Sequence, residues 1–375
     1  MFASSLAITN ISFDDLVSGR DVSASIEAAF GLSGLGILTV SGVEGYVEAR
    51  ERLLNLAPTL AALPSQVKAS CEDPESNYSV GWSHGQESLS SGVRDTFKGS
   101  FYANPLMDAV VSPAQTPSSI AQLNLTHCRP NIWPSQHLPE LEPAFKELGK
   151  LMTSVGFTIL QHCDRYLECH LSHWPKGRLF KSVESCHNLK GRLLHYFPPA
   201  ASQEAIEVAR GGDESVHSCQ STVVNHKEAW CGWHTDHGTL TGLTSALYTK
   251  DGREVPAPDS DAGLYIRDRS GAIVKAKIPQ DCIAFQVGET MQIHSGGLLH
   301  ATPHYVRAAA QSRSQGVSRN AFAVFMQPDM LEPLDVPEGM SQESLTVGQW
   351  KPGMTFGEFA EVTIKTYYEC SPLKS

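Results

Sequence analysis

The spacing of apolar residues changes character along the chain. Near the start, "AITNISF" has an extended pattern, "DVSASIEAAFGLSG" a helical one and "GILTVSG" a strand pattern. Residues 45–68 carry apolar positions at helical spacing. Residues 69–138 are rich in turn formers and predict loops, including "SNYSVGWSHGQE", "KGSFYANP" and "NIWP". Pro143 then suits a first helical turn. Phe145, Leu148, Leu151, Met152, Val155, Ile159, Cys163, Tyr166 and Leu167 follow at i, i+3, i+4 spacing, which predicts a long amphipathic helix ending near "HWPKG". From about residue 188 the pattern shortens to β-like runs between Gly, Pro and Asp: "GRLLHYFPP", "GTLTGLTSALYT", "AGLYIRD", "AIVKAKIP", "CIAFQVGETMQIHSGG", "TPHYVRA" and "NAFAVFMQP". Many short strands with turn signals predict a sandwich or barrel. A helical first half and a β-rich second half make the chain α+β.

Composition narrows the function. The chain has 375 residues, 41% of them hydrophobic, enough to bury a large core. The formal net charge of -11 argues against nonspecific nucleic-acid binding, which needs many cationic contacts to phosphate. The nine Cys are scattered and form no C-x-x-C pair, so they predict reduced thiols in a cytoplasmic setting. The opening "MFASSLAITNISFDDL" lacks a basic segment followed by an apolar run, so no secretory signal is expected. No window approaches the roughly 18 apolar residues of a membrane span. The expected partner is a small-molecule substrate, with neither nucleic acid nor membrane.

The candidate chemistry lies in "WCGWHTDHGTLTGLT", residues 230–244. On an extended strand, residues two apart share a face, so His234 and Asp236 would offer an imidazole and a carboxylate to one site. Three histidines lie downstream in "QIHSGGLLHATPHYVRA": His294, His300 and His304. Two His and one carboxylate on one triangular face leave the opposite positions open, the facial triad of non-heme Fe(II) oxygenases. Four residues of extended chain span roughly 13 Å, so His300 and His304 cannot both reach one ion. Trp233 should point away from such a site by alternation. Cys231 is expected to pack as a small residue, exposed to oxidation by a nearby iron. The cluster His162, Cys163, Cys169, His170 and His173 fits no closed zinc spacing and reads as part of the long helix.

Taken together, these segments resemble the isopenicillin N synthase-like branch of the 2-oxoglutarate/Fe(II)-dependent dioxygenase superfamily. "GWHTDHGTLTGLT" resembles its H-x-D-x-G-x-L-T segment, "AGLYIRDRSGAIVKAKIPQDCIAFQVGETMQI" its G-L-Q-V…D-G…P…G-D-x-L-Q-I run, and "SGGLLHATPHYV" its S-N-G-x-x-x-S-x-x-H-R-V. "RNAFAVFMQP" is similar to its R-x-S-x-x-x-F-x-x-P, and "RLLHYFPP" stands at its R-x-N-Y-Y-P-P. Weaker echoes, "GILTVSGV" and "NIWP", extend the likeness into the first half. The resemblance covers most of the chain and is dense from 190 to 330.

The resemblance implies Fe(II) on His234, Asp236 and His304, with 2-oxoglutarate as co-substrate, O2, and ascorbate as an accessory reductant. It implies that Arg319 pairs with the far carboxylate of 2-oxoglutarate and that His195 and Tyr196 lie in the segment that helps to hold it. The expected activity is hydroxylation, desaturation or ring closure of a small organic substrate, with release of succinate and CO2. The expected architecture is a double-stranded β-helix (jelly roll) core over 188–335, with an N-terminal mixed helical region over 1–187 packed on it. A C-terminal helical lid spans 336–375, and the three form one structural unit. Thr355 with Glu358 three residues on suits a capping box for that last helix.

The chain departs from the branch at several points. His195 and Phe197 replace the family's Asn and second Tyr, and Ala321 replaces the Ser of R-x-S. The 15 residues from His304 to Arg319 exceed the usual spacing and predict a lengthened turn, and insertions stand around 200–228 and 249–261. Two other functions fit the same residues. One is an Fe(II) oxidase of this fold without 2-oxoglutarate, in which Arg319 binds a substrate carboxylate. The other is a non-catalytic sensor or binding protein, which would bind iron without turnover.

Overall fold

The computed structural model describes residues 8–87, 94–108, 129–198, 229–310, 313–342 and 345–368. The insertion at 200–228 lies outside the described residues. The first half of the chain forms β1 (Thr9–Ser12), α1 (Phe13–Val17), α2 (Ser23–Phe30), β2 (Ile37–Ser41), α3 (Tyr46–Ala61) and α4 (Ser65–Ala69). It continues with β3 (Gly81–His84), β4 (Lys98–Ala103), the long helix α5 (Leu141–His170) and α6 (Arg178–Glu184). The second half forms β5 (Lys190–Tyr196), β6 (Ala229–His234), β7 (Leu240–Thr244), β8 (Leu247–Lys250), β9 (Arg253–Val255), β10 (Gly263–Arg267) and β11 (Ile273–Ala276). Then come β12 (Cys282–Val287), α7 (Glu289–His294), β13 (His304–Arg307), β14 (Ser318–Met326) and α8 (Phe356–Tyr368).

The strands make two sheets. The larger runs β1-β2-β12-β7-β14-β5-β4-β3, with β8 also paired to β14 and β9 to β8. All its pairings are antiparallel except β1 with β2. The smaller runs β11-β10-β13-β6 and is antiparallel throughout. From β5 onward the chain passes between the sheets: β5 large, β6 small, β7 large, β10 and β11 small, β12 large, β13 small, β14 large. Their inner faces meet where Ile37 and Ala284 of the large sheet pack on Ile266 and Ala276 of the small one. The architecture is therefore mixed α and β, built on a large, mainly antiparallel sheet in a jelly-roll-like arrangement.

Alternation along the strands sorts the large sheet into two chemically distinct faces. Phe101, Leu193, Phe322 and Val324 point outward into a buried core shared with the apolar stripe of α5, including Phe145, Leu148 and Met152. The Phe145 and Phe322 rings meet edge to face at 4.9 Å, a geometry the ring quadrupoles favour. Gly191 permits this approach, since a Cβ there would sit 2.6 Å from Phe145 Cε1. The inner face carries Lys98, Ser100 and Tyr102 on β4, Arg192, Leu194 and Tyr196 on β5, and Arg319, Ala321 and Ala323 on β14.

Several sequence expectations change in the tertiary setting. Part of the 69–138 segment expected as loop contains β3 and β4, which extend the large sheet; their turn-former content hid alternation that pairing with β5 reveals. "CIAFQVGETMQIHSGG" is not one strand. It breaks at Gly288 into α7, because the Gly288 backbone turns against the 236–238 loop, where an added Cβ would lie 2.0 Å from Gly238 O. The first-half strands β1 to β4 also join the same sheet as β5, β7, β12 and β14 rather than only packing on it.

Candidate metal and co-substrate site

Among the described residues, His234, Asp236 and His304 form the group of metal-competent side chains that converges, with ligand atoms all within 4.8 Å of one another. His234 ends β6 and pairs directly with His304 at the start of β13. Their rings lie 4.2 Å apart. Asp236 lies just beyond the strand and not on it, so simple alternation does not account for its position. Its backbone oxygen accepts from Glu289 N at 2.7 Å, which ties the 235–238 loop to the start of α7. Asp236 Oδ1 then stands 3.7 Å from His234 Nε2 and 3.9 Å from His304 Nε2. Burial pushes the Asp236 carboxyl up, but His304 and His234, aided by the Thr241 hydroxyl, hold it below its ordinary range as a carboxylate.

The outer nitrogens of both rings are held by neighbours. His234 Nδ1 lies 2.8 Å from the Gly232 carbonyl, so Nδ1 carries a proton and Nε2 is the nitrogen turned toward Asp236; burial pushes His234 down, but Cys231 and Asp236 raise it to about 9, so a metal at Nε2 would displace a proton. His304 Nδ1 lies 3.2 Å from the Thr302 carbonyl and 2.8 Å from the Gln286 amide nitrogen. A ligating Nε2 requires the proton on Nδ1, so Gln286 must present oxygen there. Exchanging the two ends of its amide, which leaves its shape unchanged, gives the otherwise unpartnered Oε1 that proton. An Nε2 of each ring turned toward an ionised carboxylate, with the outer nitrogens held by neighbours, fits a divalent cation such as Fe(II).

The other two histidines do not join this group. His300 accepts from Arg269 Nη1 at 2.9 Å, and burial and Arg269 push it down to about 4. His294 ends α7, where its Nε2–H donates to Pro333 O at 3.1 Å. In the long helix, His162 bonds Leu16 O and His170 bonds Tyr166 O, so that cluster serves the helix packing. Trp233 faces away from the triad and packs against Tyr305 at 4.4 Å, under Arg267.

Arg319 stands opposite Tyr196 across β14 and β5, with its guanidinium 4.9 Å from the Tyr196 ring. Both are buried on the inner face. His195 is not. It points to the other face, where Nδ1 meets Asn320 Oδ1 at 2.8 Å and Phe197 packs edge-on against it. The strand period of 2 is the reason: neighbours in sequence cannot share a face. Inner-face residues that spacing did not single out are Gln286, Thr241, Lys98 and Arg192. Two of them carried a readable signal: Gln286 is a lone amide in the apolar run "CIAFQV", and Lys98 belongs to a run in which Lys98, Ser100 and Tyr102 alternate with Gly99, Phe101 and Ala103. Cys231 also turns inward, because a register shift in the β13–β6 pairing aligns it with Val306. Its Sγ lies 3.7 Å from His234 Nδ1.

The C-terminal segment packs beside the site. Thr355 and Glu358 form the expected capping box, with Thr355 N–H donating to Glu358 Oε2 at 2.9 Å. Phe356 stacks on His237 at 5.8 Å. Burial and Asp236 push the neighbouring Glu289 carboxyl up to about 7, although Thr235 bonds it.

No family profile matches the chain. Over 153 residues it is 26% identical to a homoarginine-6-hydroxylase, 2-ODD-C23, of Glycine max; the match covers 36% of this chain and 43% of that relative. Solved structures match along almost the whole length. A 2OG-Fe(II) oxygenase family protein from Caulobacter crescentus superposes with a TM-score of 0.66 at 18% identity, covering 97% of this chain and 99% of that one. A full-length Neurospora crassa protein, in complex with alpha-KG and thymine, gives 0.66 at 16% identity over 98% and 99% of the two chains. The rice dioxygenase for auxin oxidation gives 0.57 at 17% identity over 96% and 95%. The chain has the fold of the 2OG-Fe(II) oxygenase superfamily.

Proposed function

We propose that the protein is a non-heme Fe(II), 2-oxoglutarate-dependent oxygenase that oxidises a small organic substrate and releases succinate and CO2. The observation that carries this is the convergence of His234, Asp236 and His304, with Arg319 buried over Tyr196 on the sheet face that also carries Gln286, the partner of His304. The two interleaved sheets correspond to the double-stranded β-helix of the isopenicillin N synthase-like branch. His234, Asp236 and His304 would hold Fe(II), which supplies the activation of O2 for attack on an unreactive C–H bond. Arg319 would grip the far carboxylate of 2-oxoglutarate with its planar fork. Tyr196 fixes the guanidinium from beneath. Gln286 and Thr302 keep the His304 proton on Nδ1, and His304 and His234, aided by Thr241, keep Asp236 ionised. Phe356 and the start of α8 cover His237 beside the triad and limit the access of water to that side.

A second reading, an Fe(II) oxidase without 2-oxoglutarate, is favoured by Leu194 and Ala321, which give the wall around Arg319 two apolar positions. Succinate separates the two. With Fe(II), ascorbate and 2-oxoglutarate the purified protein should release succinate, and Arg319→Ala should raise the 2-oxoglutarate requirement at least tenfold. Losing the partner of a buried carboxylate costs about 2–5 kcal/mol. Oxidation without succinate, with 2-oxoglutarate neither required nor consumed, would establish the oxidase.

A further inference from the structure

Of the three converging side chains, only Asp236 lies outside a strand; His234 ends β6 and His304 begins β13. What holds the loop around Asp236 is the start of α7. Gly288 N donates to Thr239 O at 3.0 Å, Glu289 N to Asp236 O at 2.7 Å and Thr290 N to Gly238 O at 3.1 Å. The first N–H groups of a helix have no acceptor within it, and here the loop carbonyls supply acceptors. Two side chains complete the joint. Thr290 Oγ1 donates to His237 O at 2.7 Å, and Thr235 Oγ1 donates to Glu289 Oε1. Each residue from 235 to 239 is thus tied to 288–290, and a side-chain anchor holds Asp236 on either side. Glu289 and Thr290 are both buried, where such bonds are strongest.

The C-terminal segment grips α7 in turn. Ile293 packs into an apolar cluster with Leu334, Val347, Trp350, Phe356 and Phe359, and His294 bonds Pro333 O. Gly348 lies directly on the Glu289 carboxyl group: a Cβ there would sit 2.8 Å from both oxygens. That is closer than carbon and oxygen can pack, and the end of the Glu289 side chain is what would have to move. A line of contact therefore runs from Gly348 through the Glu289 carboxyl and the Thr235 hydroxyl to the residue next to Asp236. Burying a carboxyl is costly unless it is bonded, and the bond this one accepts comes from the metal-site loop.

We propose that Glu289 and Thr290 are positioning residues for Asp236. They fix the metal-binding carboxylate through its two neighbours, Thr235 and His237, and the C-terminal segment braces Glu289 at Gly348. The inference rests on the oxygenase reading, which makes Asp236 a ligand to Fe(II).

The test uses the full chain and Co(II), by anaerobic competition titration and by the visible absorption of the bound ion at saturation, which reports the ligands around it. Glu289→Met keeps the length of the side chain and removes the acceptor; Thr290→Val keeps the shape and removes the donor. Each should weaken Co(II) binding about tenfold, the scale of losing an outer partner of a metal ligand, and shift the saturated spectrum toward that of Asp236→Ala. Glu289→Gln and Thr290→Ser retain the bonding atom and should restore affinity and spectrum to near those of the parent. Gly348→Ala should weaken binding on its own and add nothing in the Glu289→Met background, since both act through one side chain. Thermal unfolding of the metal-free variants checks that each folds. Parent-like affinity and spectrum in either Glu289→Met or Thr290→Val overturn the proposal. So does a loss of affinity that leaves the saturated spectrum unchanged or that the conservative variants fail to restore, because the residues would then act on stability alone. An equal effect of Gly348→Ala in both backgrounds overturns it too. A parent that binds no Co(II), or an Asp236→Ala variant with the affinity and spectrum of the parent, would instead overturn the oxygenase reading.

Discussion

Gln286 offers the sharpest test of how the second histidine is prepared. It is fully buried in β12, and its amide reaches His304 Nδ1 at 2.8 Å. Gln286→Leu keeps the volume nearly constant and removes the acceptor. The Thr302 carbonyl at 3.2 Å remains, so one of two acceptors is lost. A buried hydrogen bond of this kind is worth about 1–3 kcal/mol when one partner is removed. With Thr302 retained the low end applies, and about 1.4 kcal/mol corresponds to roughly tenfold weaker metal binding. That lies within the 10- to 100-fold range, roughly, seen when outer partners of metal-bound His are removed. Gln286→Glu can only accept, so it holds the same tautomer and should bind metal at least as well as the parent. Anaerobic competition titration with Fe(II), repeated with Co(II), measures both. Equal affinity in the parent and the Leu variant would refute the reasoning. So would an equal loss in both variants, because then packing rather than proton acceptance would be at work.

Three further outcomes follow from the same geometry. His304→Ala should abolish Fe(II) binding, whereas His300→Ala and His294→Ala should retain most of it, since those rings are engaged by Arg269 and Pro333; loss confined to His300→Ala would show that the triad is misassigned. Phe322→Ala should destabilise the fold by about 3–5 kcal/mol by emptying the space against Phe145 and Gly191, read as a lower denaturant midpoint at unchanged m-value. Burial pushes the Glu87 carboxyl up, but Arg192 and Lys98 depress it in the folded state to about 2, so its contribution to stability is complete above the unfolded value near 4.5 and is lost as the pH falls toward 2. The Glu87→Gln/Arg192→Met double variant should show a shallower loss of stability across that window in acid denaturation.

Local pattern was enough for much of this protein. The long helix is marked by Phe145, Leu148, Met152 and Val155 at helical spacing because a single apolar stripe suffices to dock it. The capping of the last helix is legible in Thr355 and Glu358 because a cap is a contact within one turn. His234 and Asp236 stand out because metal chemistry demands those side chains and they lie two residues apart. The strand pattern of "KGSFYANP" is weak, by contrast, since Gly99 and Asn104 look like turn formers until β5 supplies hydrogen-bond partners.

What tertiary structure alone decided is orientation across distance. Residue type and spacing leave three histidines open after residue 290; resemblance points to His304, and its pairing with His234 across β13 and β6 is what puts the two rings side by side. The sequence sets His195 beside Tyr196, and only the register with Arg319 shows which of the two faces inward. Lys98, Arg192 and Glu87 lie up to 105 residues apart and become one charged cluster through strand order. Residue type and short-range spacing are local properties, written in the order of the chain. Which residues share a face of a folded sheet depends on hydrogen-bond register between strands far apart in sequence, and a shift of one residue reverses it.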